Sequence, residues 1–245
     1  MSNDRAQLYD RPPIVEAVIE IRFSTAIAEN RRKKARDWLA NKYAASSIEQ
    51  QAEVKVHFSS KSADFKNLGP TFTLSSSDQT DGCAINAASI VWVRRAPYEG
   101  WEQFKSRFAT EMPQALKALG DPNVERIGLR YVNRIDVKIE NNEARYEDFL
   151  NFRIEHGDLL EPTTSYQWYL TKEFLDINLK TIVQSASVQP EIPGYGAFSF
   201  DIDVFCDSKV PSKADEILTK VEEMRDLKNK IFEAGITDEA RKQYS

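Results

Sequence analysis

Two stretches of this chain, far apart in sequence, alternate apolar and polar residues with a period of two. Nothing else in the sequence constrains the fold as strongly. In residues 14–23, Val15, Ala17, Ile19, Ile21 and Phe23 point one way, and Glu16, Glu20 and Arg22 point the other, with Val18 the exception. In residues 129–139, Leu129, Tyr131, Asn133, Ile135, Val137 and Ile139 share one face, and Arg130, Arg134, Asp136 and Lys138 share the other. Successive side chains of a strand project to opposite faces, so both stretches predict strands with one face in a core and one in water. Pro12 and Pro13 fix the approach to the first, a position proline tolerates better than the paired interior of a sheet.

Similar elements follow each strand. After the first, the pattern predicts a helix over residues 29–45, with Ala35, Trp38, Leu39 and Tyr43 as its apolar face, then strands over 53–59, 71–76 and 83–94. A helix over 98–119 places Trp101, Phe104, Phe108 and Leu116 at helical spacing. Pro113 should kink or split it, and Gly120, Asp121 and Pro122 should stop it. After the second alternating stretch come a short helix over 146–154 and strands over 165–170, 174–187 and 197–206. The last helix is expected to start at Ser212, with Ser212 and Asp215 as a capping box. It buries Ile217, Val221, Met224, Ile231 and Phe232, ends at Gly235, and is followed by a turn or short helix from Thr237.

Both halves thus read β-α-β-β-β-α. The expected fold class is α+β, with a disordered N-terminus at 1–8 and two similar halves, 9–122 and 123–245, able to pack as one domain. Their mainly antiparallel sheets would be backed by helices. A duplication would join them edge to edge, or face to face, about a pseudo-twofold axis, and the cleft between them would hold a ligand.

Several chemistries lack their residues. Nine glycines in 245 residues leave little for a phosphate cradle, and no G-x-x-x-x-G-K-[ST] is present. Gly194-Tyr195-Gly196 reads as a hairpin turn. The two histidines, His57 and His156, are distant in sequence, so neither a metal nor another cofactor is expected. Cys83 and Cys206 read as packing residues of a reducing, cytoplasmic compartment. No apolar run reaches the ~18 residues of a membrane span. The charge, 33 Lys+Arg against 38 Asp+Glu, argues against a general nucleic-acid binder. The basic cluster Arg31, Arg32, Lys33, Lys34 and Arg36 reads as a solvated helix face.

Asp201 and Asp203 share a strand face about 7 Å apart and, with Glu16, are the one candidate carboxylate set for hydrolysis. A solvent-facing strand reads the same way. Two segments suit binding better. Arg130-Tyr131-Val132-Asn133-Arg134 sets two arginines on one face and an asparagine on the apolar one, where a carboxamide needs hydrogen-bond partners. Trp92 to Tyr98 sets Arg94 and Arg95 between aromatics, an arrangement suited to planar anions. The candidate ligand- or partner-binding residues are therefore Arg94, Arg95, Arg130, Tyr131, Asn133 and Arg134.

Four segments also carry a resemblance. They are Pro12-Pro13-Ile14-Val15-Glu16-Ala17-Val18-Ile19-Glu20-Ile21-Arg22-Phe23, Tyr98-Glu99-Gly100-Trp101, Leu129-Arg130-Tyr131-Val132-Asn133-Arg134-Ile135 and Leu227-Lys228-Asn229-Lys230-Ile231-Phe232. Together they resemble a sporadically distributed prokaryotic family of proteins without an established activity. The resemblance implies a full-length stand-alone protein of patchy distribution, as accessory, mobile or defence-linked genes have, and it supplies no catalytic residues. The expected function is non-catalytic binding of a small molecule or protein partner. The alternatives are an accessory or regulatory component of a toxin–antitoxin or phage-defence operon, and a carboxylate-dependent hydrolase. A homodimer through an open sheet edge is also compatible with the pattern.

Overall fold

The computed structural model describes residues 9–57, 62–139, 144–153 and 165–244, with the backbone alone of residues 50–57 and 62–68. The expected disordered N-terminus at 1–8, His156 and the His57 side chain lie outside the described residues. Among those described, nine strands form one sheet: β1 (Ile14–Phe23), β2 (Ala45–His57), β3 (Ser62–Ser75), β4 (Asp81–Ile85), β5 (Ser89–Arg95), β6 (Val124–Lys138), β7 (Gln167–Phe174), β8 (Leu179–Val188) and β9 (Tyr195–Cys206). Their order across the sheet is β2-β3-β4-β5-β1-β6-β9-β8-β7, and every neighbouring pair is antiparallel. The helices are α1 (Glu29–Ala40), α2 (Trp101–Leu119), α3 (Ala214–Gly235) and α4 (Asp238–Tyr244). None among the described residues is long and apolar enough to cross a membrane.

The two alternating stretches, β1 and β6, pair with each other at the middle of the sheet. Their period of two sorts the whole sheet into a helix-covered face and an open one. One row across seven strands runs Leu74, Cys83, Trp92, Ile19, Leu129, Val204 and Thr181. All seven are buried and lie on the helix side. There Phe108 of α2 meets Trp92 edge-on with centroids 5.0 Å apart, and Phe232 of α3 stacks on Phe200 at 6.1 Å. The adjacent row, Val93, Val18, Arg130, Asp203 and Ile182, lies on the open face.

Several sequence expectations need correction. Of the two arrangements expected for the halves, edge to edge is the one observed, and the face-to-face alternative with a cleft between sheets is not. The first half holds an extra strand, because residues 83–94 contain a turn at 86–88 that divides β4 from β5. The strand expected at 53–59 begins at Ala45 and that at 71–76 begins at Ser62, because the two pair as one long hairpin. The short helix expected at 146–154 is a single 3₁₀ turn, Tyr146–Asp148, and the chain then makes a bridge between Leu150 and Ile236. Ser212 and Asp215 form no capping box. The helix starts at Ala214 after Lys213, which makes no side-chain cap. Pro113 sits inside a continuous α2, whose buried face spans Phe108, Met112, Ala115 and Leu116 on both sides of it. That packing outweighs the one backbone bond proline removes. Arg32 is not solvated but buried, donating to the Ile27 and Pro70 carbonyls.

At the end of α3, Gly235 leaves room for an aromatic cluster. A Cβ there would come 2.4 Å from Cζ of Phe200 and 3.2 Å from Cε2 of Phe152. Gly235→Ala should therefore destabilise the protein by about 1–2 kcal/mol in denaturant melts, overpacking outweighing the gain in helix propensity. An unchanged or raised midpoint would show that the cluster yields freely.

Candidate functional site

The six sequence candidates divide between the two faces of the sheet. Arg95, Arg130 and Arg134 stand on the open face, each engaged by the protein's own carboxylates. Arg95 Nε lies 3.5 Å from Glu16 and its Nη1 donates to the Gln79 carbonyl. Arg130 donates from Nε and Nη2 to Asp201, which also accepts a hydrogen bond of 2.6 Å from Gln184. Arg134 meets Asp136, Glu191 and the Gln189 carbonyl. Asp203, the other half of the carboxylate pair, bonds Arg126 at 2.7 Å, and burial holds its carboxyl above the ordinary value. The Asp201–Asp203 strand face is thus a paired surface in which arginines occupy the carboxylates. Among the described residues no group of three or more His, Cys, Asp or Glu is placed to hold a metal ion.

Arg94, Tyr131 and Asn133 face the helices. Arg94 is buried and bonds Glu99 at 2.7 Å and Asp81 at 3.2 Å. Tyr131 and Asn133 form the floor of a cleft of about 360 Å³ between β6, α3 and the segments leading into β1 and α2. The local sequence builds this cleft. Pro12 and Pro13 lead into β1, and a register shift falls between Ile14 and Glu16, beyond which the Pro13 carbonyl still accepts from the Arg134 N–H at 2.8 Å. Gly100, at φ +110°, turns the chain into α2, a backbone that glycine alone adopts without strain. No side chain caps that helix, and Gly100 and Trp101 at its start line the cleft.

The buried Asn133 carboxamide donates to the Phe200 carbonyl at 2.8 Å, which answers the question its position on an apolar face raised. The hydroxyls of Tyr131 and Tyr98 meet at 2.8 Å. Desolvation pushes Tyr98 up to about 12 and Tyr131 well above its ordinary value, so both stay protonated.

The residue that distinguishes the cleft is Lys228 of α3. The residue is 8% exposed, and its ammonium lies 4.1 Å from the Tyr131 ring centroid and 6.0 Å from that of Phe232. It makes no hydrogen bond or ion pair among the described residues. The acidic group whose charge acts on it, Glu233 of the same helix, accepts from the Tyr9 hydroxyl and from Arg241. Burial first, and Arg225 second, push the lysine down from 10.5 to about 7, with Glu233 opposing. Arg225, also on the cleft wall, lies over the Trp101 ring at 5.6 Å.

Sequence reasoning passed over Lys228, Arg225 and Tyr98 as site residues. The available signal for Lys228 was helical spacing. Val221, Met224 and Phe232 define the buried stripe of α3, and position 228 falls on it, so a lysine there had to be either extended to solvent or functional. Comparison with protein-family models and with curated proteins finds no match for this chain.

Proposed function

We propose that this protein is a non-catalytic binding protein whose cleft takes a small anionic ligand with a planar or apolar body. The observation that carries the reading is Lys228, a buried cationic side chain without a counter-ion, directed into a cavity with aromatic walls. Burying an ammonium without a partner costs several kcal/mol, and a carboxylate or phosphate brought by a ligand supplies that partner. Arg225, Asn229 and the uncapped start of α2 add donors around the same space, and Tyr98, Trp101, Tyr131 and Phe232 provide flat apolar walls.

A second support comes from the resemblance. Each of its four segments contributes to this one cleft: Pro12, Pro13 and Ile14; Tyr98 to Trp101; Tyr131 and Asn133; and Lys228, Asn229 and Phe232. Segments spread over most of the chain converge there, which is what a shared binding site would require. The strand order also supports reading the two halves as related by a pseudo-twofold axis. β1 and β6, the first strands of each half, lie side by side, and each is flanked by the last strand of its own half.

Benzoate is a suitable probe of the site. It should raise the melting temperature of the protein, by linkage of binding to folding, and Lys228→Met should abolish the rise. Arg130→Ala, on the opposite face, should lower basal stability while leaving the benzoate shift intact. The reading fails if benzoate stabilises wild-type and Lys228→Met protein equally, or if neither benzoate nor inorganic phosphate stabilises the wild type.

A further inference from the structure

Resting on that reading, we propose that the ligand class is a small oxo acid, an aldehyde or ketone bearing a carboxylate, and that Lys228 captures it as a covalent imine. Three features of the cleft favour this over an ion pair alone. Lys228 Nζ is desolvated over aromatic rings with no carboxylate bonded to it among the described residues, and that desolvation favours the neutral amine with its free lone pair. Arg225, one turn earlier on α3 and 3.8 Å from the exposed Asp226, provides a second and permanent cation on the same wall, able to hold a carboxylate while the amine meets the carbonyl. A desolvated lysine beside another cationic group is a known way of activating an amine. Finally, the Tyr98–Tyr131 hydroxyl pair borders the cleft and remains protonated, so it can donate a hydrogen bond to the carbonyl oxygen while water carries the protons of the exchange.

The step balances without any oxidant or reductant. The Nζ lone pair attacks the carbonyl carbon and forms the C–N bond, and the carbonyl oxygen takes up a proton to give a carbinolamine. That oxygen, protonated again, leaves as water, and Nζ gives up its remaining protons to leave a C=N bond. Addition of one water reverses the sequence and releases the ligand.

The groups facing Lys228 come from each element around it. Arg225 and Glu233 lie on its own helix, Tyr131 on β6, Tyr98 and Glu99 on the segment before α2, and Tyr9 and Asp10 on the chain before β1. Glu99 is paired with Arg94, and Glu233 with Tyr9 and Arg241.

Glyoxylate with cyanoborohydride tests the proposal, because reduction of the imine leaves one carboxymethyl group on the lysine that formed it. At pH 7, peptide mapping of the intact protein should show Lys228 modified at least about tenfold faster than Lys105, Lys180, Lys213 or Lys242, whose ion pairs hold them protonated. Lys228→Arg should remove the fast label, and a melt of that variant checks its fold. In wild-type protein, benzoate should slow labelling at Lys228 alone, a measurement that needs no variant. Labelling spread evenly over the surface lysines, or none at Lys228, overturns the imine. If benzoate still stabilises the protein in that case, the anion-binding reading stands; if it does not, both fall.

Discussion

Replacing Lys228 with methionine should stabilise the ligand-free protein, most at pH 6 and least at pH 10. In the folded chain this lysine titrates at about 7 and in the unfolded chain near 10.5. Between those values the unfolded state holds a proton that the folded state has lost, so stability from this group rises with pH across the window. Below pH 7 both states are charged, and the full cost of confining an ammonium among rings is present. At pH 10 most of that cost is gone. A shift of this size corresponds to on the order of 5 kcal/mol, from which the lost attraction to the Tyr131 and Phe232 rings subtracts about 2 kcal/mol. Methionine nearly matches the length of the lysine stem and keeps its contacts with Tyr131 and Phe232. The net gain at pH 6, about 3 kcal/mol, corresponds to a rise in Tm of roughly 6–12 °C for a chain of this size. Thermal melts of both proteins at pH 6, 8 and 10 measure it. A difference that does not change with pH would mean that the ammonium reaches water in the folded state.

The largest loss is expected on the other side of the sheet, at Arg126. This guanidinium bridges Glu20 of β1 at 3.0 Å and Asp203 of β9 at 2.7 Å across the strand between them, with its plane over the Phe205 ring at 4.3 Å. Arg126→Met keeps part of the contact with Phe205 but leaves the half-buried Asp203 without its hydrogen-bonded cation and Glu20 with Arg22 alone. Because all three side chains retain some exposure, the cost is about 2–3 kcal/mol rather than that of a fully buried pair. Its pH dependence has a definite sign. Burial already raises the folded Asp203 carboxyl above 3.8, and Arg126 opposes that rise. Without Arg126 the folded value climbs further. The folded state then binds its proton more readily than the unfolded one, and stability falls as pH increases through that interval. The variant should accordingly lose more at pH 7 than at pH 4 in urea melts. An equal loss at both would locate the effect in packing against Phe205.

How much of this was legible in the sequence depends on the range of the forces involved. The period of two in β1 and β6 sorted Ile19, Ile21, Leu129 and Val137 onto the buried face, because that alternation is a local property of the chain. The helix stops at Gly120 and Gly235 and the turn at Gly194 were readable for the same reason. The division of residues 83–94 into β4 and β5 was not, since nothing in Asn86-Ala87-Ala88 breaks a strand as proline or glycine would. For the site, Tyr131 and Asn133 were singled out because a carboxamide on an apolar face is anomalous by itself. Arg130 and Arg134 were chosen with them for their charge, yet alternation alone puts them on the opposite face. Which arginines meet a carboxylate is settled by cross-strand partners such as Asp201 and Glu191, and no local pattern reveals those. Lys228 sat on the apolar stripe of α3, but its isolation depends on Glu233 being occupied by Tyr9 and Arg241, residues brought in from both ends of the chain.

The pairing of β1 with β6 has a consequence for synthesis. β1 leaves the ribosome before the other strands of this sheet, yet one of its two edges is completed only by β6, after α1, four strands and α2 have emerged. Until then the nascent first half presents an apolar-backed strand with open backbone donors and acceptors, able to pair with whatever edge reaches it first. The charged residues on its outer side, Glu16, Glu20 and Arg22, thereby act before the native sheet exists, keeping that waiting edge from joining another chain.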